Sequence, residues 1–257
     1  MRWVRLLAFA WWFQLKLRSR SAFDGVLSLL YPIFFATVIF LMFRQGHASS
    51  QALLSAGLGA SILGTWSAVS TPSAAALQNE RFQGTLELLV ASPSPLAPIM
   101  LSVTLSMATV GAYSFLATLM WGRLVFGIPV HLGSVLPFAV SMLVSVLSVA
   151  ALGFGLAVTT VRYRSAWAVG AALDMPVWLV GGFVIPLTTL PTWVRPLSNA
   201  LAPTWGMKAL RHSAFGGAWL PDAAVCLALS GLYLILGALL CRRLVDSARR
   251  HASLALT

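Results

Sequence analysis

The sequence predicts an all-α integral membrane protein: six transmembrane helices preceded by an amphipathic interfacial helix, with a polar insert between spans two and three and short outer helices between spans five and six. Three observations predict it. Of 257 residues, 59% are hydrophobic and 9% charged, and the mean hydropathy is +0.87, which is more apolar surface than a globular interior of this length can hide. Apolar runs of about 20 residues, each enough to cross about 30 Å of hydrocarbon, recur along the whole chain. The charged residues fall almost entirely between those runs, where they avoid the cost of ionised groups in lipid.

Residues 1–22 come first. On a helical wheel Arg2, Arg5, Lys16 and Arg20 share one arc and Trp3, Leu6, Leu7, Ala10 and Leu17 another, the pattern of a helix lying in the headgroup plane. Phe9 interrupts the basic arc and Arg18 lies off it, so a simple basic flank to the first span is the alternative. The first two spans are residues 25–43 and 53–77. In the second, Ser55 with Gly59, and Ala56 with Ala60 and Gly64, recur every four positions. Small residues so spaced let helix backbones approach closely in lipid, either within one subunit or between two. Gly153, Gly155, Ala168 and Ala172 leave the same choice open.

Residues 78–96 form the polar insert. Glu80, Arg81 and Glu87 exclude it from hydrocarbon and place it at a membrane surface. Gly84 separates two short helical tendencies, Thr85 offers an N-cap for Leu86-Glu87-Leu88-Leu89, and the run Ser92-Pro93-Ser94-Pro95 stops the second. The third, fourth and fifth spans are residues 98–126, 134–161 and 165–185. Residues 186–220 follow, with Pro186, Pro191, Pro196 and Pro203 and the aromatics Trp193, Trp205 and Trp219. That stretch is too polar to cross and too apolar for a free loop, so it suits short helices dipping into an interface; a plain surface loop is the alternative. The sixth span is residues 221–241, and 242–257 form a basic tail.

With six crossings both termini share a side. Arg2, Arg5, Lys16, Arg18, Arg20, Arg81, Arg162, Arg164, Arg242, Arg243, Arg249 and Arg250 then fall together, with Arg44, Arg123, Arg195, Lys208 and Arg211 opposite. The positive-inside bias puts the termini and the insert in the cytoplasm. The net charge of +11 follows from this topology and from anionic headgroups, and nucleic acid is not an expected partner. The first apolar run has no small-residue cleavage site, so no removable signal peptide is expected. Cys226 and Cys241 lie on one span, about 22 Å apart along a helix, too far to bond to each other.

Several chemistries lack their residues. The lysines are Lys16 and Lys208, neither preceded by glycine, so no phosphate-cradling G-x-x-x-x-G-K-[ST] loop exists. His47, His131, His212 and His251 have no carboxylate or cysteine at metal spacing, so neither a metal site nor a hydrolase triad is expected. Asp174 is the exception in mid-span, roughly ten residues or ~15 Å from Arg164. An ionised carboxylate there needs water or a partner. It is either a pathway residue or an internally held carboxylate that joins two helices, and Pro176 frees a nearby carbonyl for either role.

The insert Glu80-Arg81-Phe82-Gln83-Gly84-Thr85-Leu86-Glu87, then Ser92-Pro93, resembles the cytoplasmic segment of ABC-2 type permeases, membrane subunits of bacterial ATP-binding-cassette exporters. Leu190-Pro191-Thr192-Trp193-Val194-Arg195-Pro196-Leu197, then Ala202-Pro203-Thr204 and Ala209-Leu210-Arg211, is similar to that family's outer segment before its last helix. The resemblance covers nearly the whole chain. It implies that two permease copies, identical or related, pair in the inner membrane over two cytoplasmic ATPase subunits. ATP and magnesium belong to those partners, with no cofactor on this chain. It implies that Glu80, Arg81, Gly84, Thr85, Leu86 and Glu87 form a coupling helix seated on the ATPase. It also implies that spans two and five line the route, with Thr65, Trp66, Asp174 and Trp178 as lining residues, and that the outer segment, with Pro191, Trp193 and Pro203, is an exit gate. Tryptophan-rich, weakly charged spans suit an amphiphilic cargo such as a drug, a lipid-linked compound or a glycolipid. The other classes weighed are a membrane scaffold that recruits a cytoplasmic protein and an ion-driven carrier, the latter disfavoured because no inverted repeat is evident.

Overall fold

The computed structural model describes residues 2–19, 22–46, 49–82, 84, 96–128, 134–159, 166–184, 187 and 191–251. Among these residues regular structure is helical throughout, with no strand. In chain order the helices are α1 (Arg2–Ser19), α2 (Ala22–Gln45), α3 (Ser50–Phe82), α4 (Leu96–Phe126), α5 (Val135–Thr159), α6 (Ala166–Val180), α7 (Arg195–Ala200), α8 (Ala202–Phe215) and α9 (Leu220–His251). Among the described residues, four segments are long and apolar enough to cross a membrane: Ser50–Ala76, Leu96–Phe126, Val135–Thr159 and Leu220–Arg243. Pro32–Gln45, within α2, is a shorter apolar stretch.

α3 is the hub. It starts where Ser49 Oγ accepts the Ala52 N–H at 3.3 Å, an N-cap that satisfies one orphan amide. Leu58, Ile62, Trp66 and Val69 recur at helical spacing and bury one stripe against Val103, Met107 and Phe115 of α4, Val146 and Val149 of α5, and Met207 and Leu210 of α8. Its other faces carry the small residues, and these pack inside the subunit. A Cβ on Gly64 would stand 2.7 Å from the Pro32 ring of α2, and Gly153 and Gly170 bring α5 and α6 as close to α3. Gly64, Gly153 and Gly170 thus serve packing within the subunit, by the close van der Waals contact that replaces the hydrophobic drive in lipid, whereas Gly155 has open space around it.

The polar insert begins as helix. α3 runs on without a break to Phe82, because Gln78-Asn79-Glu80-Arg81 contains no helix breaker. Gly84, at φ +71° and with open space around it, then turns the chain. The predicted second helical piece and the Ser-Pro-Ser-Pro stop lie outside the described residues.

α1 packs on α4 and α2 through Leu6, Leu7, Ala10, Trp11 and Gln14, while Phe9, Trp12, Phe13 and Leu17 stay exposed. Leu17 therefore does not belong to the packed arc, which is centred nearer Leu7 and Trp11. Trp11 Nε1 donates to Thr109 Oγ1 at 3.0 Å and fixes the helix on α4. α6 has 15 residues, about 22 Å, and ends well short of the expected residue 185. Gly181 and Gly182 turn the chain there, their amides donating to the Val177 and Leu179 carbonyls. The stretch after it is not a plain loop: α8 buries Ala202, Pro203, Met207, Ala209 and Leu210 against α5 and α9. α9 is helical through Arg242 and Arg243 to His251, so the basic tail begins as helix.

Candidate functional site

The carboxylate of Asp174 is held at the seam between α6 and α3. Ser70 Oγ donates to Oδ1 at 3.0 Å and Ser67 Oγ donates to Oδ2 at 3.3 Å. Ser67 and Ser70 are three residues apart, so one face of α3 presents both hydroxyls to one carboxylate. The indole N–H of Trp66 is buried with no well-formed hydrogen bond, yet lies within reach of the same carboxylate. Pro176, two residues on, lacks the amide that would close on the Ala172 carbonyl, which loosens α6 at this level. Trp178 is on α6 one turn after Asp174.

Replacing Asp174 with alanine tests what the seam contributes. The two hydroxyls then fall back on carbonyls of their own helix, and a loss of about 1 kcal/mol in chemical unfolding is expected, the net worth of such hydrogen bonds. A loss above about 3 kcal/mol would instead mark an ionised group on which the helix pairing depends.

Thr65 and Trp66 are buried within the single subunit. Thr65 Oγ1 donates to Gly111 O at 3.0 Å, joining α3 to α4. Glu80 and Arg81 occupy the last turns of α3, and Gly84 is the exposed turn beyond it; Thr85, Leu86 and Glu87 lie outside the described residues. Ten residues of one helix, about 15 Å, separate Ser70 from Glu80. Pro72 stands between them, a place where the helix can bend.

The three residues expected at an exit gate do not share one environment. Pro191 and Trp193 are in an exposed turn closed by the Val194 N–H on the Pro191 carbonyl, and Trp193 is 72% exposed. Pro203 is buried in the first turn of α8.

Sequence reasoning missed two polar fixings at this end. Arg211 of α8 sends Nη2 to the Phe183 and Gly182 carbonyls at 2.9 and 3.2 Å, so a cation caps the C-terminal end of α6, where the helix dipole is negative. Burial pulls the guanidinium down to about 10, and it stays charged at pH 7. His212 Nδ1 and Asp222 Oδ2 lie 2.5 Å apart and tie α8 to α9. Arg211 and Asp222 were visible as charges in apolar surroundings, a signal for burial with a partner.

A family model described as ABC-2 type transporter matches residues 5–215. A comparison with curated proteins gives no match.

Proposed function

Because the chain belongs to the ABC-2 type transporter family and is thus a permease subunit, we propose that it works as an exporter half, paired with a second copy or a related permease and driven by separate ATPase subunits. The observation that carries this is α3, one helix that reaches from the buried seam at Ser67 and Ser70 to the polar insert at Glu80 and Arg81. A push on the insert is transmitted along that helix to the contact with α6. Rigid helices then rock about the seam, Pro72 and Pro176 absorb the bending, and the route opens between α3 and α6. Asp174 and Trp178 flank that opening, with Thr65 and Trp66 behind them until the helices part.

In this reading six segments cross the membrane, with α2 and α6 completing the four long apolar helices, and α7 and α8 form the outer gate with Pro191, Trp193 and Pro203. Both termini and the insert face the cytoplasm, as the clustering of arginines there supports. ATP and magnesium bind the partner subunits, whose groove receives Glu80, Arg81, Gly84, Thr85, Leu86 and Glu87. The cargo is an amphiphile, since the spans offer aromatic and hydroxyl surface with a single mid-span carboxylate.

The test is uncoupling. Gly84→Val forces a β-branched residue into a left-handed conformation at a cost of about 1–2 kcal/mol, and Glu87→Lys reverses a charge of the insert. With a partner ATPase that co-purifies with this chain co-reconstituted in vesicles, each variant is expected to lower export at least tenfold while ATP hydrolysis continues and the protein stays in the membrane. Export at the full rate in both variants would remove the coupling role from the insert.

A further inference from the structure

Cations on the outer side of a membrane protein need a reason, because the positive-inside bias selects against them in short loops. Three of the five in this chain, Arg195, Lys208 and Arg211, fall in the segment around α7 and α8. Arg211 reaches the carbonyls at the end of α6. Arg195 and Lys208 line one cleft of about 240 Å³ together with Leu187, Ser198 and Asn199.

The cleft is built, not incidental. The Ser198 hydroxyl donates to Val180 O at 2.6 Å, which fixes the wall from α7 to the end of α6. Trp205 Nε1 donates to the Asn199 carbonyl at 2.9 Å. Lys208 Nζ stands 3.7 Å over the Trp205 ring and donates to Asn199 Oδ1 at 3.5 Å, so its position is set from two directions. With its oxygen turned to Lys208, the Asn199 side chain keeps its NH₂ donors for another acceptor. Tyr233 of α9 donates to the neighbouring Ala200 carbonyl and holds the end of α7. Burial pulls Lys208 below the ordinary lysine value, with Asp222 acting the other way, but Asp222 is engaged by His212.

Among the described residues, the lining holds two cations, an amide and a hydroxyl, and no carboxylate. Two cations and an amide around about 240 Å³ suit a phosphate, whose oxygens accept charge-assisted bonds from arginine in particular. Leu187 is in the lining, and Trp193 and Leu197, close in sequence to the lining residues Arg195 and Ser198, are 72% and 57% exposed, apolar side chains of the kind that sit at the headgroup level. We propose that this cleft binds the phosphate of an anionic amphiphile at the outer interface, with Arg195 and Lys208 as its charge partners, Asn199 as its neutral donor, and Trp193 and Leu197 along its chain. This rests on the outward placement of α7 and α8 in the proposed topology, and on neither the ATPase nor transport.

The experiment uses the purified full chain in a neutral detergent, titrated with short-chain phosphatidylglycerol, phosphatidylcholine and sodium phosphate and read by tryptophan fluorescence and native mass spectrometry. Phosphatidylglycerol is expected to bind at least tenfold tighter than either control, because choline brings a cation against Arg195 and Lys208 and inorganic phosphate has no chain. The double variant Arg195→Gln, Lys208→Gln is expected to weaken phosphatidylglycerol at least tenfold with its unfolding midpoint unchanged. Should that variant fold poorly, the charge-preserving Arg195→Lys, Lys208→Arg pair is expected to bind within a few-fold of the original. Equal affinity for phosphatidylcholine, or undiminished binding by the double variant, would overturn the site. Equal affinity for inorganic phosphate would overturn the amphiphile. Sidedness is read separately: Trp193→Cys is expected to react with an impermeant maleimide from outside intact cells, and its protection there would overturn the outward placement alone.

Discussion

Gly59→Ala is expected to cost at least about 3 kcal/mol, at the upper end of overpacking penalties, and Gly59→Val to abolish accumulation of folded protein. A Cβ built on Gly59 stands 1.9 Å from the Phe183 carbonyl oxygen and 2.7 Å from its carbon. Both obstacles are backbone, so no rotamer change relieves them. α3 would have to withdraw from the turn that ends α6, and Phe183, itself fully buried, would move with it. Detergent-solubilised yield by size-exclusion chromatography, and chemical unfolding where yield allows, give the reading. The controls are Gly155→Ala and Gly231→Ala, helical glycines with nothing within 4 Å of an added Cβ, which are expected to be neutral or to gain up to about 1 kcal/mol from helix propensity. An alanine at Gly59 that unfolds with the controls would show that the turn yields, and that the approach of α3 to α6 is not tight.

Arg211→Met is expected to cost about 2–4 kcal/mol, because it strips the donor from two carbonyls at the end of α6. Methionine keeps most of the buried length, which separates the lost hydrogen bonds from a lost volume. Arg211→Lys should recover part of the loss, since an ammonium is a point donor while the two carbonyls are both reached by one guanidinium nitrogen at 2.9 and 3.2 Å. In transport assays Arg211→Met should also act as a variant of α6 itself, since the turn it holds directly follows that helix, about two helical turns after Asp174. Unchanged unfolding in Arg211→Met would mean that water serves those carbonyls equally well.

Much of this architecture was readable because lipid imposes a simple rule on composition. The runs 98–126 and 134–161 became α4, Leu96–Phe126, and α5, Val135–Thr159, within a few residues, since apolar content alone sets such bounds. The family was legible in the insert and outer segment, where Gly84 and Pro203 punctuate polar sequence. What stayed hidden depends on where side chains end up. α6 stops at Val180 because Gly181 and Gly182 turn there, although Phe183-Val184-Ile185 continues the apolar run. The partners of Asp174 are two serines on α3, and serines occur at many positions of these spans, so nothing in the sequence distinguishes Ser67 and Ser70. Arg211 looked like an ordinary outer cation until α8 brought it to the end of α6.

The continuity of α3 from Ser50 to Phe82 carries a constraint on length as well as on chemistry. Each residue turns an α-helix by about 100°, so adding or deleting one residue between Ser70 and Glu80 would swing the Glu80-Arg81 end around the shaft while the side chains before the change kept their neighbours. The spacing of that decade of residues is thereby a gear setting: the rotational phase between the two ends is written in residue count, and no single substitution can restore it.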